Sequence, residues 1–125
     1  MFKISNIILS SSSLARQEIL KKLNIPFKVF EPNVDETPTY KETPQNLVKR
    51  ISLLKAEEAR KKYKSQLIIA ADTILYSRKK FFHKTTNKEL AEKNLKLLSG
   101  RRHTIFTGLT ILDKTHKFYY LTKTK

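Results

Sequence analysis

Residues 67–75, LIIAADTIL, decide the fold class of this chain. They are apolar except for Asp72 and Thr73, a pattern typical of a strand that is buried on both faces of a sheet. A carboxylate inside such a strand is costly to bury unless it is paired or binds a ligand. Asp72 is therefore the first candidate for a functional residue.

Further strands are predicted on both sides of this segment. Residues 3–9 (KISNIIL) are apolar and lead into four serines, as a buried strand followed by a turn would. Residues 27–30 (FKVF) alternate like a half-buried strand, and residues 104–112 and 117–122 predict two strands joined by a turn.

Three helices are predicted between these strands. The first begins after the serines, with Ser12 or Ser13 as its cap, and ends before Pro26. Its apolar positions at helical spacing are Leu14, Ile19, Leu20 and Leu23. The second starts at Thr43 and Pro44 and runs to about Lys62.

The third helix is predicted over residues 86–100, with a capping box at Thr86 and Glu89 and Gly100 at its C-terminal end. Helices interspersed with strands predict an α/β fold with a central mixed, twisted sheet flanked by helices. The length of 125 residues predicts one domain over residues 1–125.

Composition narrows the class of protein. The chain has no cysteine, which excludes disulfides, thiolate metal sites and cysteine nucleophiles and fits a reducing cytoplasm. The first nine residues lack the apolar length of a signal peptide or membrane span, so we expect a cytoplasmic protein without a membrane partner.

The net charge of +15 raises nucleic acid as a partner. Aromatic residues near lysines and arginines, namely Phe81, Phe82, Tyr119 and Tyr120, would suit such a binding module. However, the lysines are spread along the whole chain, as expected of a lysine-biased composition. Nucleic-acid binding therefore stays an alternative that is not favoured.

Several polar segments suit a phosphate and a metal ion. Residues 10–16 (SSSSLAR) lie between a strand and a helix N-terminus, where backbone amides, hydroxyls and Arg16 could hold a phosphate. Asp35 and Glu36, with Asp72, could bind magnesium. Taken alone, the serines fit a flexible turn and the acidic pair fits an exposed turn.

Together these residues resemble the Maf family of nucleoside triphosphate pyrophosphatases, whose fold is similar to that of inosine triphosphatases. The matching motifs, in order, are Ser11-x-Ser13-x-x-Arg16, Asp35-Glu36, Lys55-Ala56, Ala71-Asp72-Thr73, Lys84, Leu98-Ser99-Gly100-Arg101 and Thr107-Gly108. The resemblance implies hydrolysis of a nucleoside triphosphate to the monophosphate and pyrophosphate, with Mg²⁺ or Mn²⁺, to remove non-canonical nucleotides.

The resemblance also implies residue roles. Asp72 matches the general base or metal-binding acid, and Glu36 matches a second metal ligand. The residues that match the triphosphate-binding set are Ser11, Ser13, Arg16, Lys55 and Lys84. Thr73 resembles the subgroup that acts on dTTP and UTP, whereas the 7-methyl-GTP subgroup typically has glutamine there.

Three features depart from the family pattern. Leu14-Ala15 replaces the Pro-Arg of the pyrimidine subgroup, and His83-Lys84-Thr85 replaces Gly-Lys-Pro. The chain also resembles only the N-terminal two-thirds of a family member, with the C-terminal part missing. We therefore expect a homodimer or a partner that supplies the missing part, and the alternative function is an inactive remnant.

Overall fold

The computed structural model describes residues 7–77, 80–82 and 103–125. The elements in chain order are β1 (Ile7–Ser10), α1 (Leu14–Lys22), β2 (Phe27–Phe30), α2 (Pro44–Lys62), β3 (Leu67–Ser77), β4 (Lys80–Phe82), β5 (Thr104–Leu112) and β6 (Lys117–Thr124). The strands form one sheet in the order β2-β1-β3-β5-β6, and β4 pairs with β3.

The sheet is mixed, as predicted. β1 runs parallel to β2 and to β3, whereas β5 is antiparallel to β3 and β6 is antiparallel to β5. The connections through α1 and α2 cross the sheet in opposite directions. Because such crossovers are right-handed, the two helices lie on opposite faces.

Among the described residues, the core lies between α2 and the sheet, in two clusters. Ala56 and Ala59 of α2 pack with a group of strand residues near the start of β3, namely Ile8, Ile68, Ala70 and Leu112. The second cluster combines Leu47, Val48 and Ile51 with Ile74 and Phe106. The sheet face beneath α2 is thus closed by apolar packing.

The expectation that residues 67–75 are buried on both faces is only partly correct. Positions that face α2 are buried, but on the opposite face Thr73 is exposed and Ile69 is half-buried. The reason is that α1, on that face, contributes no buried residue.

The predicted helix starts are confirmed, and the choice of cap is settled. Ser13 caps α1 by accepting a hydrogen bond from the amide of Arg16, and Thr43 caps α2 by accepting one from Asn46. Asn24, with φ at 55°, turns the chain out of α1 before Pro26.

Some predicted features lie outside the described residues, and one observed strand was not predicted. The predicted third helix, Lys84 and residues 3–6 lie outside the described residues. The short strand β4 was not predicted. Within the ranges that the structure describes, no helix combines the length and apolar character needed to cross a membrane.

Candidate active site

The candidate site lies where β1 ends beside β3. The register pairs Ser10 with Ala70, so Asp72 lies two residues beyond the end of β1. A sheet with strand order 2-1-3 binds ligands at this point, because the chain leaves the neighbouring strands in opposite directions and opens a crevice. The topology therefore places the predicted serine loop next to Asp72.

Lys55 is the centre of the site. Its ammonium nitrogen lies 2.9 Å from Glu36 Oε1, 3.5 Å from Asp72 Oδ1 and 3.4 Å from the carbonyl oxygen of Ala71. The side chains of Lys55 and Asp72 are only 11% and 4% exposed, whereas Glu36 is 43% exposed. Three segments far apart in sequence thus meet at one cation.

Lys55 is held at this point because α2 is attached to the sheet both by apolar packing and by a polar contact. Ile51, one turn earlier, is fully buried in the core. Ser10, also fully buried, donates a 2.6 Å hydrogen bond from its hydroxyl to the carbonyl oxygen of Lys55. Sequence reasoning missed this contact, since a serine that ends a strand gives no sign of its partner.

The serine loop is a structured turn. The hydroxyl of Ser11 accepts a 2.9 Å hydrogen bond from the amide of Ser13, and the Ser13 hydroxyl accepts one from Arg16 at 3.4 Å. The amide of Ser11 donates to Phe30 in β2. Both predicted serines therefore shape the N-terminus of α1, where an anion is favoured.

Arg16 reaches across from α1 to β3. Its guanidinium donates a 2.9 Å hydrogen bond to the hydroxyl of Thr73, which lies 3.0 Å from the hydroxyl of Thr107. Burial lowers the pKa of Arg16, and the charges of Asp72 and Glu36 oppose that shift. Arg16 thus lies within electrostatic reach of both carboxylates.

The predicted acidic pair separates into two roles. Glu36 joins the site, but Asp35 is engaged by Thr37, whose side chain first and whose amide second lower the pKa of Asp35 by hydrogen bonding to it. Among the residues that the structure describes, no cluster of three or more acidic, histidine or cysteine side chains could hold a metal ion. The predicted set of three carboxylates is therefore not brought together.

Glu36 and Asp72 still fit one kind of metal site. An oxygen of each contacts the same ammonium. Mg²⁺ is commonly held by one or two carboxylates while it keeps several waters and binds substrate phosphates. The described residues thus suit a metal shared with a substrate.

Gly108 lets α2 approach the sheet beside the site. It pairs with Asp72 in the register of β3 and β5. A Cβ atom there would lie 2.7 Å from the carbonyl oxygen of Val48 and 2.9 Å from the hydroxyl of Tyr119. Burial, followed by the charge of Asp72, raises the pKa of Tyr119.

Two of the aromatic residues assigned to the nucleic-acid alternative are engaged in packing. Phe81 stacks at a tilt on Tyr76, with ring centres 5.2 Å apart, and the hydroxyl of Tyr119 is buried near Gly108. Tyr120 is exposed. Nucleic-acid binding and homodimer formation both stay predictions.

Comparison with protein families matches residues 6–125 to the family described as Maf-like protein. The chain is 46% identical over 109 residues to a 7-methyl-GTP pyrophosphatase of Pseudoalteromonas translucida, covering 87% of the chain and 54% of that relative. It is 40% identical over 119 residues to a dTTP/UTP pyrophosphatase of Thermosipho melanesiensis, covering 95% of the chain and 63% of that relative.

A third relative, a nucleoside triphosphate pyrophosphatase of Orientia tsutsugamushi, is 39% identical over 111 residues, covering 88% of the chain and 54% of the relative. The chain thus spans less than two thirds of the length of these curated relatives.

Among solved structures, the Ham1 protein of Staphylococcus aureus matches with a TM-score of 0.63 at 16% identity, covering 94% of this chain and 69% of that one. A HAM1 protein of Coxiella burnetii matches with a TM-score of 0.59 at 19% identity, covering 94% and 70%. These two likenesses confirm the predicted fold class and concern the fold alone.

Proposed function

Since this chain belongs to the Maf-like protein family, which it matches over residues 6–125, we propose that it hydrolyses nucleoside triphosphates to the monophosphate and pyrophosphate. The observation that carries the proposal is the convergence of Lys55, Glu36 and Asp72 at the end of β1. Two carboxylates, each within 3.5 Å of the same ammonium, are groups suited to phosphoanhydride hydrolysis.

The triphosphate binds between the two helices that flank this point. The N-terminus of α1, shaped by Ser11 and Ser13, offers backbone amides to phosphate oxygens. Arg16 and Lys55 add charge-assisted donors from opposite faces of the sheet. By resemblance, Lys84 supplies a further cation.

Asp72 orients and deprotonates the attacking water in this proposal. The water oxygen bonds to the α-phosphorus while the bond from that phosphorus to the α–β bridging oxygen breaks. The water proton goes to Asp72, and pyrophosphate leaves with the bridging oxygen. Asp72 suits this role because it is buried at a fixed place, 3.5 Å from Lys55.

A divalent ion, Mg²⁺ or Mn²⁺, would be held by Glu36 and Asp72. When bound, it would neutralise charge on the phosphate oxygens and on the leaving pyrophosphate. The carboxylate oxygens of both residues suit either metal.

For the base, we infer a preference for dTTP and UTP or for modified pyrimidine nucleotides. The support is Thr73, which follows Asp72 in β3, is exposed on the opposite face of the sheet and has its hydroxyl positioned by Arg16 and Thr107. Relatives named for 7-methyl-GTP and for dTTP/UTP both match the chain, so a test must include both substrates.

The test measures pyrophosphate release from these nucleotides and the common triphosphates, with Mg²⁺ or Mn²⁺ and water labelled with ¹⁸O. We expect the label in the monophosphate, because water attacks the α-phosphorus. Replacing a general base typically costs about 10²- to 10⁴-fold in rate, and we expect such a loss for Asp72→Asn.

Asp113→Asn is the matched control, because Asp113 is exposed in the turn between β5 and β6 and outside the site. It should retain the wild-type rate. A folded sample that releases no pyrophosphate would favour the inactive remnant, and equal rates for wild type and Asp72→Asn would remove Asp72 from the mechanism.

A further inference from the structure

The ammonium of Lys55 contacts both carboxylates that would hold a metal ion. Its nitrogen is 2.9 Å from Glu36 and 3.5 Å from Asp72, so it already neutralises part of their charge. The lysine is well fixed, because its side chain is 11% exposed and donates to the carbonyl oxygen of Ala71. A divalent ion and this ammonium therefore compete for the same two carboxylates.

Among the residues that the structure describes, the charges around this point are balanced. Glu36 and Asp72 contribute two negative charges, and Lys55 and Arg16 contribute two positive ones. The guanidinium of Arg16 is hydrogen-bonded to Thr73, the residue after Asp72, and while burial lowers the pKa of Arg16, the charges of Asp72 and Glu36 oppose that shift. A free divalent ion would add two positive charges to these four described side chains, whose charges already cancel, and that is unfavourable in a partly buried site.

The same site favours a metal ion that is already bound to a triphosphate over a free metal ion. The metal–triphosphate complex carries a net negative charge and brings phosphate oxygens that can accept hydrogen bonds from Lys55 and Arg16. It also supplies metal ligands that two carboxylates alone lack, since Mg²⁺ prefers six oxygens. The same lysine that repels the free ion thus favours the complexed one.

We infer that Lys55 acts as an internal counter-ion that keeps divalent metal out of the free protein, so that metal and nucleotide enter as one complex. On entry, the ammonium of Lys55 leaves Glu36 and Asp72 for phosphate oxygens, and the carboxylates become metal ligands. This inference rests on the proposed function for the identity of the nucleotide, but exclusion of the free metal depends only on described residues.

The test measures Mn²⁺ binding by the loss of the electron paramagnetic resonance signal of free Mn²⁺, without nucleotide. We expect Lys55→Met to bind Mn²⁺ at least about tenfold more tightly than the wild type, because the competing cation is gone. Lys61→Met is the matched control: it removes a lysine that lies 2.9 Å from Glu58 on the exposed surface of α2, and it should bind Mn²⁺ like the wild type.

A second arm adds an analogue of UTP with a methylene group between the α- and β-phosphorus, which cannot be hydrolysed there. With the Mn²⁺ taken up by the analogue alone subtracted, the wild type should bind Mn²⁺ at least about tenfold more tightly in the presence of the analogue than in its absence, since metal and triphosphate enter together. Circular dichroism checks that each variant is folded, and Lys55→Gln repeats the test with a polar replacement.

Equal Mn²⁺ affinity of the wild type and of both Lys55 variants would overturn the inference, as would weaker binding by the variants. The proposed function has a separate readout. If the chain releases no pyrophosphate but Lys55→Met gains Mn²⁺ affinity, hydrolysis is refuted and exclusion of the free metal stands. If the wild type is active and binds free Mn²⁺ as tightly as Lys55→Met, only the inference about Lys55 falls.

Discussion

Helices α1 and α2 each bring one cation to the same site, but they are attached to the sheet in different ways. Helix α2 buries a set of residues along its length: Pro44, Leu47, Val48, Ile51, Ser52, Ala56 and Ala59. Helix α1 buries none, and its apolar residues Leu14, Ile19 and Leu23 are 72%, 58% and 60% exposed.

The difference shows that apolar spacing alone does not make a helix part of the core. α2 fits closely because Ala56 and Ala59 are small and because Gly108 offers no side chain beneath Val48. α1 is tied to β3 by the hydrogen bond from Arg16 to Thr73. Lys55 is therefore positioned by packing, whereas Arg16 is positioned by a polar contact.

Truncating one isoleucine on each helix should give the largest contrast. Ile51→Ala removes a fully buried side chain and should lower the free energy of unfolding by about 3 kcal/mol. Ile19→Ala changes an exposed position and should alter it by less than about 0.5 kcal/mol. Urea denaturation of both variants measures the difference, and similar losses would mean that α1 is also packed in solution.

Gly108→Ala tests how closely α2 lies on the sheet. The new Cβ would come within 2.7 Å of the Val48 carbonyl oxygen, which belongs to the helix backbone and cannot rotate away. Such overpacking typically costs 1–3 kcal/mol, and we expect a loss of about 2 kcal/mol in the free energy of unfolding.

The double variant Gly108→Ala, Tyr119→Phe sharpens this test. It removes the hydroxyl that would lie 2.9 Å from the new Cβ, but the clash with Val48 remains, so only part of the stability should return. Without a clash, replacing glycine by alanine in a strand normally raises stability. A Gly108→Ala variant at least as stable as the wild type would therefore contradict the close fit of α2.

Much of the fold could be predicted because the responsible signals are local. The apolar run around Asp72 marks β3, the proline at Pro44 marks the start of α2, and the serines before Leu14 mark the start of α1. Each signal depends on residues within a few positions of each other. Strand alternation likewise predicted β5 and β6.

The contacts that build the site could be predicted only in part. A buried carboxylate pointed to Asp72, but the bond from Ser10 to Lys55 joins residues 45 positions apart and depends on strand register and helix placement. The choice of Glu36 over its neighbour Asp35 depends on a turn at Thr37. The exposure of α1 was missed because the sequence pattern of its apolar residues matches that of a buried face.

The smallest effect concerns a polar attachment near the start of α2. Arg50 donates two hydrogen bonds to Glu42, at 2.7 and 2.8 Å, and a third to the carbonyl oxygen of Thr37 in the loop that carries Glu36. The hydrogen bonds from Arg50 lower the pKa of Glu42 from 4.5 to about 2. The folded state thus favours the charged carboxylate.

This shift makes stability depend on pH in a defined direction. Because the pKa of Glu42 is lower in the folded state, its contribution is present above about pH 4.5 and is lost as the pH falls to about 2. Since the pair is partly exposed to solvent, we expect about 1 kcal/mol. The difference in unfolding free energy between wild type and Glu42→Gln should therefore shrink toward zero across this range.

Arg50→Gln should remove the same pH-dependent component, because it removes the donors that hold Glu42 in its charged form. A wild type and a Glu42→Gln variant that differ equally at pH 6 and pH 2 would show that this pair does not anchor the loop. Of the two attachments described, the Arg50–Glu42 pair and the ion pair with Lys55, only the second would then hold Glu36 in the site. In that case the loop on the α2 side would resemble α1, with one polar contact positioning each functional side chain.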